Sequence, residues 1–280
     1  VSTGARARER ISINCMTKQT PVRDCGETIA PGESARPFAR SVVSQALSRA
    51  SSVELQPSLD AVGTPASGGR WVIVDLETTG LGAGAEITEI GAVSVQDGAI
   101  TDEFSSLVKP SRPIPPFITS LTGITPAMVA NADPIASVLE RFMDWSGLGT
   151  KGGPVLVAHN ASFDVGFLRR AARASSLPWP RIRVVDTLAL ARLALPRPLV
   201  RNHKLGTIAS YFGTATVPEH RALGDARATA EILLGFIDLL AGAGATDVED
   251  LVALTEQAPA RRPSTPSFVA DLPTSPGVYH

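Results

Sequence analysis

The fold is decided by the stretch Val72-Ile73-Val74-Asp75-Leu76-Glu77-Thr78-Thr79-Gly80, in which an apolar β-branched run leads directly into two carboxylates. The apolar run predicts a buried strand. Because alternate residues of a strand point to the same side, Asp75 and Glu77 project together. Two neighbouring carboxylates repel each other unless a cation neutralises them, and their oxygens suit a hard divalent ion such as Mg²⁺ or Mn²⁺. The alternative is a strand end with two solvated acids.

The composition is that of a globular protein of 280 residues, with a 44% apolar fraction and a formal net charge of −1. A charge near zero provides no global field for a polyanion, although a local basic patch and bound metals would suffice for an enzyme acting on nucleic acid. No apolar run approaches the roughly 20 residues that a membrane span needs, so no membrane partner is expected. The two cysteines, Cys15 and Cys25, exclude a disulfide framework and favour a cytoplasmic location.

The chain divides into four parts. Residues 1–69 lack sustained periodicity and are predicted to be a mostly disordered leader. In residues 70–241, three strands without long helices precede alternating strands and helices, which predicts an α/β fold with a mixed five-stranded sheet flanked by helices. Residues 242–270 are predicted to be a linker, within which 247–256 has the pattern of a short helix, and 271–280 form a separate C-terminal part.

Further acidic residues stand where elements begin or end. Asp164 falls in the first turn of a helix that Asn160 is expected to cap, and its alternative role is to favour the helix dipole. Asp225 falls near the start of the longest helix, five residues after His220, which on its own would be read as a loop histidine. Asp186 is predicted to be a helix cap.

Four carboxylates could therefore converge on one edge of the sheet: Asp75, Glu77, Asp164 and Asp225. Two Mg²⁺ ions would roughly balance their charge, and two ions about 4 Å apart can hold the attacking and the leaving oxygen of a phosphodiester. His220 could then take a proton from the attacking water.

Three motifs in this order resemble those of the DEDDh family of 3′→5′ exonucleases, which includes the proofreading epsilon subunit of bacterial DNA polymerase III. They are Asp75-Leu76-Glu77-Thr78-Thr79-Gly80-Leu81, His159-Asn160-x-x-Phe163-Asp164 and His220-Arg221-Ala222-Leu223-x-Asp225. The resemblance implies a ribonuclease H-like fold, two divalent cations (Mg²⁺ or Mn²⁺) and removal of nucleotides from 3′ ends. It makes the four carboxylates the metal ligands and His220 the general base. The tyrosine branch of the superfamily has a tyrosine where this chain has Arg221.

The resemblance also implies a substrate-binding set, namely Thr78, Thr79, Gly80, Leu81, Asn160 and Phe163. The first four would border the 3′-terminal nucleotide, with backbone amides near the sugar-phosphate and Leu81 against a base. Phe163 could stack on a base, but a core position is favoured. Arg169, Arg170 and Arg173 could meet phosphates or form a solvated helix face.

The C-terminal residues Leu272-Pro273-x-x-Pro276-Gly277-Val278-Tyr279 resemble the opening of a UvrC-like GIY-YIG endonuclease domain. Some bacterial proteins join such a domain to a DEDDh exonuclease. We therefore expect this chain to be a truncated product, a fragment or part of a split gene, with the endonuclease residues of such a fusion beyond His280.

Three functions remain in competition. The first is a metal-dependent exonuclease acting on DNA 3′ ends, including single-stranded ends, within a polymerase or repair complex for proofreading or repair. The second is an RNA or oligoribonucleotide 3′ trimming nuclease with the same site. The third is a polymerase- or repair-associated binding module whose site is unused. The presence of all four carboxylates and of His220 argues against this third function.

Overall fold

The computed structural model describes residues 63–82, 84–197 and 199–257. Within these ranges a sheet lies between two layers of helices. Its strands are β1 (Arg70–Thr78), β2 (Ile87–Gln96), β3 (Ala99–Lys109), β4 (Asp133–Pro134), β5 (Val155–Ala158) and β6 (Val184–Asp186). The helices are α1 (Pro116–Thr122), α2 (Pro126–Val129), α3 (Ile135–Ser146), α4 (Ala161–Ala174), α5 (Thr187–Ala194), α6 (Leu205–Phe212), α7 (Ala222–Ala241) and α8 (Val248–Gln257). None of these helices is long and apolar enough to cross a bilayer.

The strand order in the sheet is β4-β3-β2-β1-β5-β6. β1, β2 and β3 form an antiparallel meander, while β5 runs parallel to both β1 and β6. This confirms the predicted α/β fold with a mixed sheet, but the predicted count of five strands is wrong. The strand that was not predicted is β4, which pairs with the end of β3 through only two residues. Two residues are too few to produce a hydrophobic period in the sequence.

The two faces of β1 bury different cores. One face packs against α3 and α4 through Val72, Val74 and Leu76. The opposite face packs against the layer of α5 to α8 through Trp71 and Ile73. Because the alternation continues along the strand, Asp75 and Glu77 project toward the α7 layer, where the apolar core ends.

The two ends of the described chain meet on this domain. The backbone N–H of Ala66 donates to the carbonyl of Thr246 at 2.9 Å, and the N–H of Val248 donates to that of Thr64 at 3.0 Å. Helix α8 confirms the short helix predicted within the linker, but its buried Leu251 places it in the domain core. The rest of the leader and the C-terminal Leu272–Tyr279 motif lie outside the described residues.

Helix α7 lies directly on β2 at one point. A Cβ atom added to Gly91 would stand 2.1 Å from the backbone nitrogen of Leu223 and 2.2 Å from the carbonyl carbon of Ala222. Only a residue without a side chain permits this approach, and so Gly91 sets the depth at which the start of α7 sits.

Gly91→Ala is expected to lower the free energy of unfolding by about 3 kcal/mol, because the added methyl group forces α7 away from β2. Urea unfolding followed by circular dichroism measures the change. The control is Gly206→Ala in α6, where an added Cβ would meet nothing within 4 Å. That change should be neutral or stabilise by up to about 1 kcal/mol. Equal stability of Gly91→Ala and the wild type would contradict the close contact.

Candidate active site

The four predicted carboxylates come together at the end of β1. Asp75 and Glu77 arrive on the strand, Asp164 in the first turn of α4, and Asp225 in the first turn of α7. Three of them are buried, with Asp164 only 3% exposed, and Asp75 is half-buried. The site therefore gathers like charges away from solvent.

Burial and mutual repulsion disfavour the ionised forms of these groups. Burial raises the pKa of Asp75 well above its ordinary value, and the charges of Asp164, Asp225 and Glu77 raise it further. Burial, together with the charges of Asp225 and Glu89, raises the pKa of Glu77 to about 8. At neutral pH the isolated site thus retains protons that a bound cation would displace.

Backbone amides partly offset this cost at the helical positions. Burial raises the pKa of Asp164 well above its usual range, while hydrogen bonds from its own amide and that of Leu76 oppose the rise. Burial also raises the pKa of Asp225, whose Oδ1 accepts a hydrogen bond from the N–H of Glu219 at 2.9 Å. These amides orient both carboxylates.

His220 stands beside two of the carboxylates. One ligand atom each from Glu77, His220 and Asp225 lies within 4.8 Å of the others. His220 is exposed and has a positive φ of 56°, in the turn that leads into α7. The arrangement gives a solvent-accessible imidazole at the rim of an acidic site.

The turn after β1 forms one wall of the site. The Oγ1 of Thr78 donates to the carbonyl of Gly80 at 2.8 Å, and Gly80 has a φ of 151°, which is essentially restricted to glycine. Leu81 follows with 86% of its surface exposed. The turn is anchored at Thr79, whose N–H donates to the Glu86 carbonyl at 2.8 Å while its Oγ1 accepts from the Glu86 N–H at 2.9 Å.

The two candidate substrate residues near α4 differ in position. Asn160 is exposed at the N-cap position, but its φ is 74° and its side chain makes no capping bond, so the expected capping role is wrong. Its N–H donates instead to Asp186 Oδ1 at 2.9 Å. Asp186 also accepts from the N–H of Leu188, which confirms the predicted cap of α5. Phe163 is half-buried with its ring 4.7 Å from that of Phe167, as the favoured core interpretation predicts.

Hydrogen bonds at both ring nitrogens hold His159, the first residue of the second motif. Its Nδ1 lies 3.0 Å from Thr187 Oγ1 and its Nε2 lies 2.9 Å from the carbonyl oxygen of His203. Burial lowers the pKa of His159, which favours the neutral ring. Both ring nitrogens are engaged, so this histidine positions the end of β5.

Sequence analysis missed one residue of the site, Glu89. It is 2% exposed and pairs with Glu77 across β1 and β2. Its carboxylate accepts two hydrogen bonds from the Arg221 guanidinium, at 3.1 and 2.8 Å, and a third from the N–H of Ala222 at 3.1 Å. The sequence signal that could have identified Glu89 is a single acid within an otherwise apolar strand, two positions before Gly91.

Glu89 and Gly91 therefore fix the same short segment. Residues two apart on a strand share a face, so both meet the first residues of α7. The glycine allows close approach, and the carboxylate binds Arg221 and the helix N-terminus. His220 and Asp225 lie on either side of this anchored segment, so their placement depends on it.

Glu89→Gln is expected to lower the free energy of unfolding by about 2 kcal/mol, because it weakens a buried charge-assisted network at a helix N-terminus. Chemical denaturation measures the difference. The matched control is Glu103→Gln, which breaks the more exposed ion pair with Arg227. This change should cost less than about 1 kcal/mol. Similar losses for the two variants would contradict a special role for Glu89.

The raised pKa of Glu77 predicts that the metal-free protein loses stability as the pH rises. The unfolded chain releases this proton near pH 4.5, whereas the folded chain holds it to about pH 8, so stability falls across that interval. Urea unfolding in EDTA at a series of pH values measures the fall, and Glu77→Gln should flatten it. Glu103→Gln should not, because Arg227 lowers the pKa of Glu103. Stability that rises with pH across the interval would contradict the prediction.

Residues 72–233 match the exonuclease family RNase_T. A Mycobacterium tuberculosis (strain CDC 1551 / Oshkosh) protein, whose name describes a bifunctional exonuclease/endonuclease, is 43% identical over 216 residues, which cover 75% of this chain and 33% of that protein. The PolC-type DNA polymerase III of Caldanaerobacter subterraneus subsp. tengcongensis is 41% identical over 184 residues, which cover 65% of this chain and 13% of the polymerase. The chain thus spans a third or less of these relatives' length.

Two solved structures share the architecture. Exonuclease X in complex with 5′ overhanging duplex DNA is 29% identical, with a TM-score of 0.51, over 66% of this chain and 99% of that chain. The nuclease domain of 3′hExo, a DEDDh family member bound to rAMP, is 25% identical, with a TM-score of 0.52, over 60% of this chain and 92% of that chain.

Proposed function

Because the chain belongs to the exonuclease family that its residues 72–233 match, we propose that it is a metal-dependent 3′→5′ exonuclease acting on DNA 3′ ends in replication proofreading or repair. The observation that carries this proposal is the meeting of Asp75, Glu77, Asp164 and Asp225 with His220 at the end of β1. Each alternative role considered for these residues singly, such as a solvated acid or a loop histidine, leaves their convergence unexplained.

The residues of the site fit divalent cations. Exonucleases of this fold use divalent metal ions, and buried carboxylates that raise one another's pKa values favour a bound cation. The four carboxylates offer oxygen atoms as metal ligands, which suit Mg²⁺ or Mn²⁺. The four carboxylates would hold two ions, which when bound would stabilise the charge that develops on the phosphate during hydrolysis.

His220 is the candidate general base. An imidazole can take up a proton near neutral pH, and this one is exposed to solvent beside Glu77 and Asp225. It would remove a proton from the water that attacks the phosphodiester. The paired Glu89 and Arg221 hold the adjacent backbone, which keeps the imidazole directed at the site.

The turn after β1 is the candidate binding site for the terminal nucleotide. Thr78, Thr79 and Gly80 form a wall with backbone groups close to the carboxylates, and the exposed Leu81 could pack against the last base. Asn160 is exposed at the start of α4 and remains a candidate. Phe163 supports this region from the core.

Relatives favour DNA over RNA as the substrate. The PolC-type polymerase and the DNA complex of exonuclease X both point to DNA, whereas the rAMP complex of 3′hExo supports the alternative, an RNA-trimming nuclease.

The PolC similarity also supports action beside a polymerase, and the small number of cysteines supports a cytoplasmic location. The bifunctional relative supports a link to an endonuclease, which the Leu272–Tyr279 resemblance to GIY-YIG domains also suggests.

Digestion of 5′-labelled single-stranded DNA and RNA of one sequence tests the proposal. With Mg²⁺ or Mn²⁺ we expect a ladder that shortens from the 3′ end of DNA and is abolished by EDTA. Asp75→Ala should abolish it, and His220→Ala should slow it by about 10² to 10⁴-fold, the usual contribution of a general base. Asp144→Ala, a change at an exposed acid on α3, is the control and should retain activity.

The outcomes separate the competing functions. Faster digestion of RNA than DNA would favour the trimming nuclease over the DNA enzyme. A ladder that persists in EDTA or in Asp75→Ala would exclude this site as its source. No shortening of either strand by folded wild-type protein would favour a binding module.

A further inference from the structure

A cavity lies apart from the residues of the candidate active site. It has a volume of about 590 Å³ and lies between the start of β2, the end of β3 and one side of α4. Its charged and aromatic lining residues are Glu86, Lys109, Arg112, Phe167 and Arg170. We call it the α4 pocket. Its size is within the range of small-ligand sites and could accommodate one nucleotide.

The pocket lies close to the candidate active site along two shared elements. Phe167 in its wall follows Asp164 by three residues on α4, which is less than one helical turn or about 5 Å along the axis. Glu86 in the opposite wall forms the paired hydrogen bonds to Thr79, the residue that anchors the turn after β1. A strand whose 3′ end lay among the carboxylates would have a short path to the pocket.

The pocket carries an excess of positive charge. Its charged lining residues are the exposed Lys109, Arg112 and Arg170, opposed by the single acid Glu86. The Glu86 carboxylate is already engaged, since it accepts hydrogen bonds from the backbone N–H and the hydroxyl of Ser111. Within the part of the chain that the structure describes, none of the three cations forms an ion pair. They are therefore available for an anionic ligand.

Arg170 adds a flat surface to this charge. Its guanidinium carbon lies 4.1 Å from the centroid of the Phe167 ring, so the ring supports the guanidinium from below. The Phe167 side chain is itself only 4% exposed. A planar guanidinium supported by a ring in this way can stack on a base, while Lys109 and Arg112 can meet phosphates.

We propose that the α4 pocket binds a nucleotide of the substrate strand that lies 5′ of the scissile bond. The inference rests on the proposed function in taking the substrate to be a nucleic-acid strand. The pocket combines the two features that single-stranded nucleic acid requires, namely cations for the backbone and a flat surface for a base. Its role is to hold the strand while its 3′ end reacts at the carboxylates.

Strand binding measured apart from hydrolysis tests this proposal. Fluorescence anisotropy of a 5′-labelled oligothymidylate is recorded in an Asp75→Asn background, which prevents digestion. The double variant Lys109→Ala/Arg170→Ala should raise Kd by about tenfold and reduce the salt dependence by about one phosphate contact per cation removed. Arg170→Lys, which retains the charge but not the flat surface, should retain the salt dependence and lose part of the affinity.

Arg169→Ala is the matched control, because Arg169 is an exposed neighbour on α4 that does not line the pocket. It should change Kd less than about twofold, as expected for one cation outside the binding path.

In proteins with an intact site, hydrolysis of the p-nitrophenyl ester of thymidine 5′-monophosphate gives a second readout. The double variant should lower the preference for the oligonucleotide over this ester, and Arg169→Ala should not.

The two proposals fail separately. If the wild type digests DNA and the double variant binds the strand like Arg169→Ala, the pocket proposal is overturned and the exonuclease proposal stands; a protein segment then becomes the better candidate occupant. If the wild type digests nothing but the double variant weakens strand binding, the pocket proposal stands alone. If the wild-type protein, which retains Asp75, does not bind the oligonucleotide, the pocket proposal is overturned.

Discussion

Four carboxylates share one small volume at the end of β1, and their repulsion is the constraint on which the site depends. Arg221 relieves it only in part: its charge lowers the pKa of Glu77, but its guanidinium is bound by Glu89. Burial and mutual charge raise the pKa values of Asp75 and Glu77. Packing elsewhere in the domain must offset this cost, which a bound cation would also lower.

The constraint explains why α7 is anchored so closely. Asp225 and His220 can act together with Glu77 only at a defined distance from it, so the position of the helix that carries Asp225 has to be fixed. At Gly91 the helix backbone rests directly on the strand, and Glu89 accepts a hydrogen bond from the N–H of Ala222, the first residue of α7. Neither contact touches the proposed chemistry, yet both limit where the chemical groups can stand.

Much of this was readable from the sequence because it is local. The β-branched run before Asp75, the three spaced motifs and the periodic helices predicted the sheet, its class and the five residues that meet. What was missed depends on distant partners. β4 exists only by pairing with β3, the left-handed Asn160 gives its N–H to Asp186, and Glu89 gains its role from a helix more than a hundred residues away.

The arginines of α4 also show that surface roles which depend on packing cannot be predicted from the sequence. Arg169, Arg170 and Arg173 look equivalent in the sequence, and helical periodicity alone does not choose among them. The rotation of α4 is fixed by the burial of Phe167 and Leu168, and that rotation directs only Arg170 into the pocket. One helix thereby gives Asp164 to the carboxylate site and Arg170 to the α4 pocket. A strand spanning both would be aligned by a single rigid element, so its scissile bond would be placed by contacts made with nucleotides that do not react.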